Sequence, residues 1–147
     1  MIKEKIDKDL ITAMKAHDEN IVTVLRMLKS AIKNIEIAKQ KDLEDAEVMS
    51  VIQNQIKTRR DSIDLYVKGN RPELAESEKA EIEILTPYLP EQLSEEEIKT
   101  IVEKVIAETS ASSMKDMGKV MGLAMAELKG KADSTLVSQI VKDTLSN

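Results

Sequence analysis

Apolar residues recur every three or four positions along nearly the whole chain, the spacing of one helix face after another. Ile2, Ile6, Leu10 and Ala13/Met14 form the first stripe, which His17 and Asp18 end. Ile21, Leu25, Leu28, Ile32 and Ile35 form a second, with Arg26, Lys29 and Lys33 at another angle, so this helix is amphipathic and basic outside. A third stripe joins Val48, Ile52, Ile56, Ile63 and Tyr66/Val67, with Arg59 interrupting one turn, and Gly69-Asn70 supplies the stop. Pro72 suits the first turn of a fourth helix carrying Leu74, Ile82, Leu85 and Leu89, and Pro87 and Pro90 end it.

Ser94-Glu-Glu-Glu97 reads as a capping box, in which Ser94 and Glu97 satisfy each other's backbone donors before the stripe Ile98, Ile101, Val102, Val105, Ile106. Beyond a break at 109–113, Met114, Met117, Met121, Met125 and Leu128 share one helical side. Gly118, Gly122 and Ala126 follow at four-residue spacing, a pattern read here as close helix packing. Gly130 stops that helix, Asp133 or Ser134 caps the last one, and Leu136, Ile140, Val141 and Leu145 form its apolar side. Seven helices are expected in an all-α fold: an elongated N-terminal hairpin bundle over 1–90 and a small three-helix subdomain over 91–147.

Length and composition narrow the chemistry. The 147 residues suit one domain or two small ones, and they include no Cys, Trp or Phe, a single His and two Tyr. Cysteine chemistry and Cys-ligated zinc are excluded, and the lone His17 rules out a His-based metal site or triad within one chain. No nucleotide-binding or zinc-protease motif is present, and the Gly-Lys-Ala-Asp-Ser run at 130–134 has the wrong spacing for a phosphate loop. The acidic runs 42–47 and 95–97 lack the ligand spacing of a calcium loop. No catalytic residue, cofactor or metal is therefore expected. No apolar run reaches the roughly 18 residues of a membrane span, and the start is charged, so a cytoplasmic protein without membrane contact is expected.

The net charge of -5 is unevenly spread. Residues 71–108 carry 4 Lys/Arg against 11 Asp/Glu, whereas residues 109–147 carry 5 against 4. A polyanion would be repelled by the centre and tolerated by the flanks. The cationic candidates are Arg26, Lys29 and Lys33; Lys57, Arg59 and Arg60; and Lys115, Lys119, Lys129, Lys131 and Lys142. Lys129 and Lys131 stand out because a turn at Gly130 projects both beside a helix start. With so few aromatics to stack on bases, such a surface suits the shape of a folded RNA better than a base sequence.

Several stretches in order carry a family resemblance: DLITAMKAHD from Asp9, LRMLKSAIKNIEIAK from Leu25, RRDSIDLY from Arg59, YLPEQLSEEEI from Tyr88, and GKVMG with KGKAD from Gly118 onward. Through them the chain resembles the GatB/YqeY domain family, particularly its freestanding YqeY-like members, over nearly its full length. The related tail of the amidotransferase B subunit helps hold tRNA during amide transfer, and the catalytic residues of that reaction lie outside the tail. The resemblance carries over to Gly118, Lys119, Gly122, Lys129, Gly130, Lys131, Ala132 and Asp133, while Ser134 stands where many relatives have Gly. It associates the family with carbon-nitrogen ligase activity using glutamine as amido donor, but no autonomous activity is expected of this chain.

The expectation is a tRNA-associated accessory binding module, with Lys115, Lys119, Lys129, Lys131 and Lys142 as its RNA contacts and tRNA or a tRNA-modifying assembly as partner. The alternative is a structural module that offers its long helices, or an edge bearing Met117, Met121 and Met125, to another protein.

Overall fold

The computed structural model describes residues 1–146. They form α1 (Ile2–Lys15), α2 (Glu19–Lys39), α3 (Asp45–Lys68), α4 (Pro72–Leu85), α5 (Glu95–Thr109), α6 (Met117–Leu128) and α7 (Ser134–Ser146), with 3₁₀ turns at Thr86–Tyr88 and Met114–Asp116. The fold is all-α: an N-terminal bundle of α1 to α4 and a smaller three-helix subdomain of α5 to α7. The chain divides into two compact units, Met1–Leu89 and the residues from Pro90 onward.

The first unit's core is built by the stripes of its helices. Ile6 and Leu10 of α1 pack with Leu25, Leu28 and Ile32 of α2 and Val48, Ile52 and Ile56 of α3, and Leu85 closes the set from α4. Full burial of such side chains contributes roughly 1.5 to 3 kcal/mol each before chain entropy is set against it. Arg59 continues the α3 stripe one turn beyond Ile56 and is only 7% exposed. Its Nε lies 3.2 Å from Glu81 Oε2 and 3.9 Å from Glu78 Oε2, both on α4, and its Nη1 donates to the Gln55 carbonyl. Arg59 is therefore an internal tie between α3 and α4, which removes it from the cationic candidates. Val67, expected on the apolar side of α3, faces solvent, and so does Leu65.

Four helices end in the same way. The residues that turn the chain out of α1, α2, α3 and α5 are His17, Gln40, Asn70 and Ser110, each in the left-handed region at φ 55 to 57°. At the end of α1, His17 N–H donates to the Met14 carbonyl and Asp18 N–H to the Ala13 carbonyl, and the other three repeat this doubled closure. Asn70, not Gly69, holds the turn after α3, since Gly69 sits at φ -83°. Starts are capped as well: Asp18 accepts from Ile21 N–H, and reciprocal boxes join Glu44 with Glu47 and Ser94 with Glu97.

The second unit packs Ile98, Val102 and Val105 of α5 against Val120, Ala124 and Leu128 of α6 and Val137, Val141 and Leu145 of α7. The methionines Met117, Met121 and Met125 flank this core half-buried, while Met114 is 42% exposed. The centre of the buried α6 face is thus Val120-Ala124-Leu128, and that register turns Gly118, Gly122 and Ala126 outward to solvent. A Cβ built on Gly118 or Gly122 would meet no atom within 4 Å. The small residues do not serve close packing within the chain.

Candidate nucleic-acid interface

The α6 to α7 turn is held by the segment that enters α5. Gln92 Nε2 donates to the Gly130 carbonyl at 2.7 Å, and Leu93 N–H donates to the Lys131 carbonyl at 2.9 Å. Gly130 takes φ 78°, a left-handed conformation at which a side chain would be strained, and it is buried along with Ala132. With the carbonyls of 130 and 131 tied and Ala132 in the core, the side chains of Lys129 and Lys131 are exposed. Asp133 caps α7: its carbonyl accepts from Val137 N–H and its carboxylate from Thr135 N–H at 3.3 Å. Ser134 is the first residue of α7, a helical position that makes no demand for glycine.

Lys115, Lys119 and Lys142 are exposed too. Lys115 lies in the 3₁₀ turn before α6 and Lys119 in its first turn, one helical turn apart. Ten residues separate Lys119 from Lys129, about 15 Å along a helix axis. The lysines therefore occupy the two ends of α6. Ser146 Oγ donates to Met114 Sδ at 3.7 Å, so the end of α7 returns beside the start of α6, and Lys142 lies one helical turn before Ser146. Lys115 and Lys119 thus stand at the start of α6, and Lys129 and Lys131 just beyond its end.

Between the groups runs the outward face of α6, Gly118-Lys119, Gly122-Leu123 and Ala126-Glu127, nearly free of side-chain bulk at three of these positions. The sequence reading assigns these small residues to close packing and so misses this exposed face. Its signal was available in the register of Val120, Ala124 and Leu128, which lies opposite the glycines. Among the described residues, the ion pair of this unit is Lys104 with Glu127 at 3.6 Å, and the five candidate lysines have no carboxylate partner. They keep their charge available to an external anion.

His17 is an exposed helix-ending residue. Among the described residues no cluster of three His, Cys, Asp or Glu side chains could hold a metal ion, and no helix is long and apolar enough to cross a membrane. The titrations displaced from ordinary values belong to structural contacts. Glu47 is held down at about 2 by the Glu44 backbone N–H and by Lys41 and Lys39. Burial, then the hydrogen bond to Asp9, pushes the Tyr88 phenol well above its ordinary range. That hydroxyl donates to Asp9 Oδ2 at 2.6 Å, and Lys5 Nζ sits 5.3 Å from the ring centre.

A family model described as Yqey-like protein matches residues 3–145. Among curated proteins, "Altered inheritance of mitochondria protein 41, mitochondrial" of Lachancea thermotolerans is 35% identical over 90% of this chain and 74% of its own length. The protein of the same name from Pyrenophora tritici-repentis is 28% identical over 99% of this chain and 81% of its own length. An uncharacterized protein of Schizosaccharomyces pombe is 30% identical over 60% of this chain and 72% of its own length. The expected cytoplasmic location is corrected by these findings, because similar proteins are named as mitochondrial. A charged start and the lack of a membrane-length apolar run look the same in any aqueous compartment, so they could not carry that expectation.

Proposed function

The chain belongs to the Yqey-like protein family, and from that premise we propose that it is a helical tRNA-associated binding module without a reaction centre of its own. Its contacts are Lys115, Lys119, Lys129, Lys131 and Lys142, which reach phosphate oxygens, and its bare α6 face admits the sugar-phosphate backbone closely. The observation that carries this reading is the pair of cationic groups about 15 Å apart with exposed glycine backbone between them. That separation exceeds the reach of one phosphate and suits a backbone with repeated charges, read by shape. The likeness to amidotransferase tails adds tRNA as the RNA class and supports an accessory role beside a carbon-nitrogen ligase.

The test is tRNA binding across a salt series, with Lys129→Gln/Lys131→Gln beside the parent chain. Each phosphate contact removed lowers the slope of log affinity against log salt by about 0.7 to 0.9, so a decrease of roughly 1.5 is expected for the pair. Equal affinity and slope in both proteins would reject these contacts.

A structural protein-interaction role is the second reading. It is favoured by Leu65, Val67 and Leu74, which are 68%, 62% and 40% exposed where α3 passes into α4. Failure of the parent chain to bind tRNA at low salt, with saturable binding of another protein lost on Leu65→Glu, would select it.

A further inference from the structure

We propose that the groove between α1 and α2 is a phosphate-binding site, built by Lys33, Ser30 and Lys29 of α2 and Lys3 of α1. The groove is open to solvent and holds about 370 Å³. That lies at the lower end of the roughly 300 to 1,000 Å³ typical of small-ligand sites.

The donors and acceptors in this groove are out of balance. Its two carboxylates are already engaged: Glu36 accepts from Lys3 Nζ at 2.6 Å and from Leu43 N–H at 2.8 Å, and Asp7 lies 2.7 Å from Lys29 Nζ. Lys33 has no ion-pair partner among the described residues, although its charge contributes to holding the Glu36 carboxyl low. Lys3 and Lys29 keep spare N–H donors after one carboxylate contact each, and the Ser30 hydroxyl has no bonded partner among the described residues. The groove therefore offers more donors than its own acceptors use, a surplus that an acceptor-rich anion matches. Lys29 and Lys33 are also one helical turn apart, so their like charges repel until an anion lies between them.

The floor is Ile6 and Ile32, and no aromatic side chain lines the groove. A base would find nothing to stack on, so the phosphate itself is the recognised group. Such a group can come from a free phosphorylated molecule or from a nucleic-acid chain. The stretch from Leu25 that helped carry the family resemblance contains Lys29, Ser30 and Lys33, and the RNA reading above makes no use of them.

The experiment is a backbone amide NMR titration of the full chain with sodium phosphate and then pyrophosphate, at ionic strength matched with sodium chloride. Saturable shifts at Ser30, Lys33 and Asp7 are expected. Lys33→Gln raises the half-saturating concentration about tenfold. Ser30→Ala weakens binding less, and Lys57→Gln on α3 leaves it unchanged. Lys33 is exposed, so an unaltered melting temperature shows that the variant is folded. Shifts that grow linearly with phosphate, or that are the same in Lys33→Gln, would overturn the site. Displacement of pyrophosphate by tRNA assigns the phosphate to an RNA chain, and its persistence under excess tRNA assigns it to a free molecule. Lys129→Gln/Lys131→Gln leaves the groove titration unchanged, so failure of the RNA reading and failure of this one are separately visible.

Discussion

Arg59 and Glu81 hold α3 to α4 through a 3.2 Å contact between a guanidinium only 7% exposed and a carboxylate that still meets solvent. Glu78 completes the cluster at 3.9 Å, and its carboxyl lies above the ordinary value of 4.5, first through burial and then through the charge of Glu81. Removing the cation leaves two acids facing each other. Arg59→Ala is expected to cost about 2 kcal/mol, less than the loss of a fully buried pair because both acids are partly solvated, and Arg59→Met is expected to cost less than Arg59→Ala. Urea unfolding at neutral pH measures both, and a cost below about 0.5 kcal/mol for Arg59→Ala would show the tie to be idle.

The same cluster sets one pH effect and the capping contacts set another of opposite sign. A raised folded value for Glu78 means that its contribution is present below 4.5 and is lost as pH rises through the folded value. Glu78→Gln should therefore raise stability at pH 7 and gain little at pH 4. Glu47 is depressed, to about 2, so its contribution is present above 4.5 and disappears as pH falls toward 2. Glu36 is depressed as well, chiefly by its hydrogen bond from Lys3 and then by the Leu43 N–H. Unfolding followed by circular dichroism from pH 6 to pH 2 should show a shallower acid loss for Glu47→Gln than for the parent chain.

The four left-handed helix ends offer a gain in stability. His17, Gln40, Asn70 and Ser110 hold φ near 55° without being glycine, and only Asn among them takes that region with ease. Gln40→Gly and Ser110→Gly are each expected to stabilise the protein by about 0.5 to 1 kcal/mol, the relief at the turn outweighing the added freedom of the unfolded chain. Asn70→Gly should change little. Thermal melts of the three variants order these effects, and a lower melting temperature for both Gln40→Gly and Ser110→Gly would contradict the argument.

What could be read in the sequence divides along a physical line. Seven helices, the Ser94 box, the Pro72 start and the stripes through Ile6, Leu25 and Ile98 follow from local spacing and capping chemistry, which the chain states within a few residues. Arg59 could not be read in this way, because what makes a cation acceptable in the α3 stripe is a pair of acids about twenty positions away on α4. The glycines of α6 were misread for a different reason. Spacing identifies which residues share a face but not which face is buried: Val120, Ala124 and Leu128 occupy the buried centre with Met117, Met121 and Met125 packed beside them, and the glycines lie opposite. Lys129 and Lys131 were legible as a projecting pair, but the ties from Gln92 and Leu93 that fix their turn depend on a contact across 38 positions.

The outward glycines allow stability and binding to be separated. Gly118 and Gly122 lie within α6 with open space where a Cβ would stand, so glycine there weakens the helix without serving a neighbour in the chain. Gly122→Ala should stabilise folding by about 0.5 to 1 kcal/mol, and Gly118→Ala, in the first turn of α6, by less. If the face meets an RNA backbone, Gly122→Leu should leave melting at or above that of the parent chain while weakening tRNA binding about tenfold, at unchanged dependence on salt, because bulk is added and no charge is lost. Lysine removal, in contrast, lowers both affinity and salt slope. A Gly122→Leu variant that binds tRNA like the parent would place the RNA contact on the lysines alone and leave the glycine spacing without a binding role.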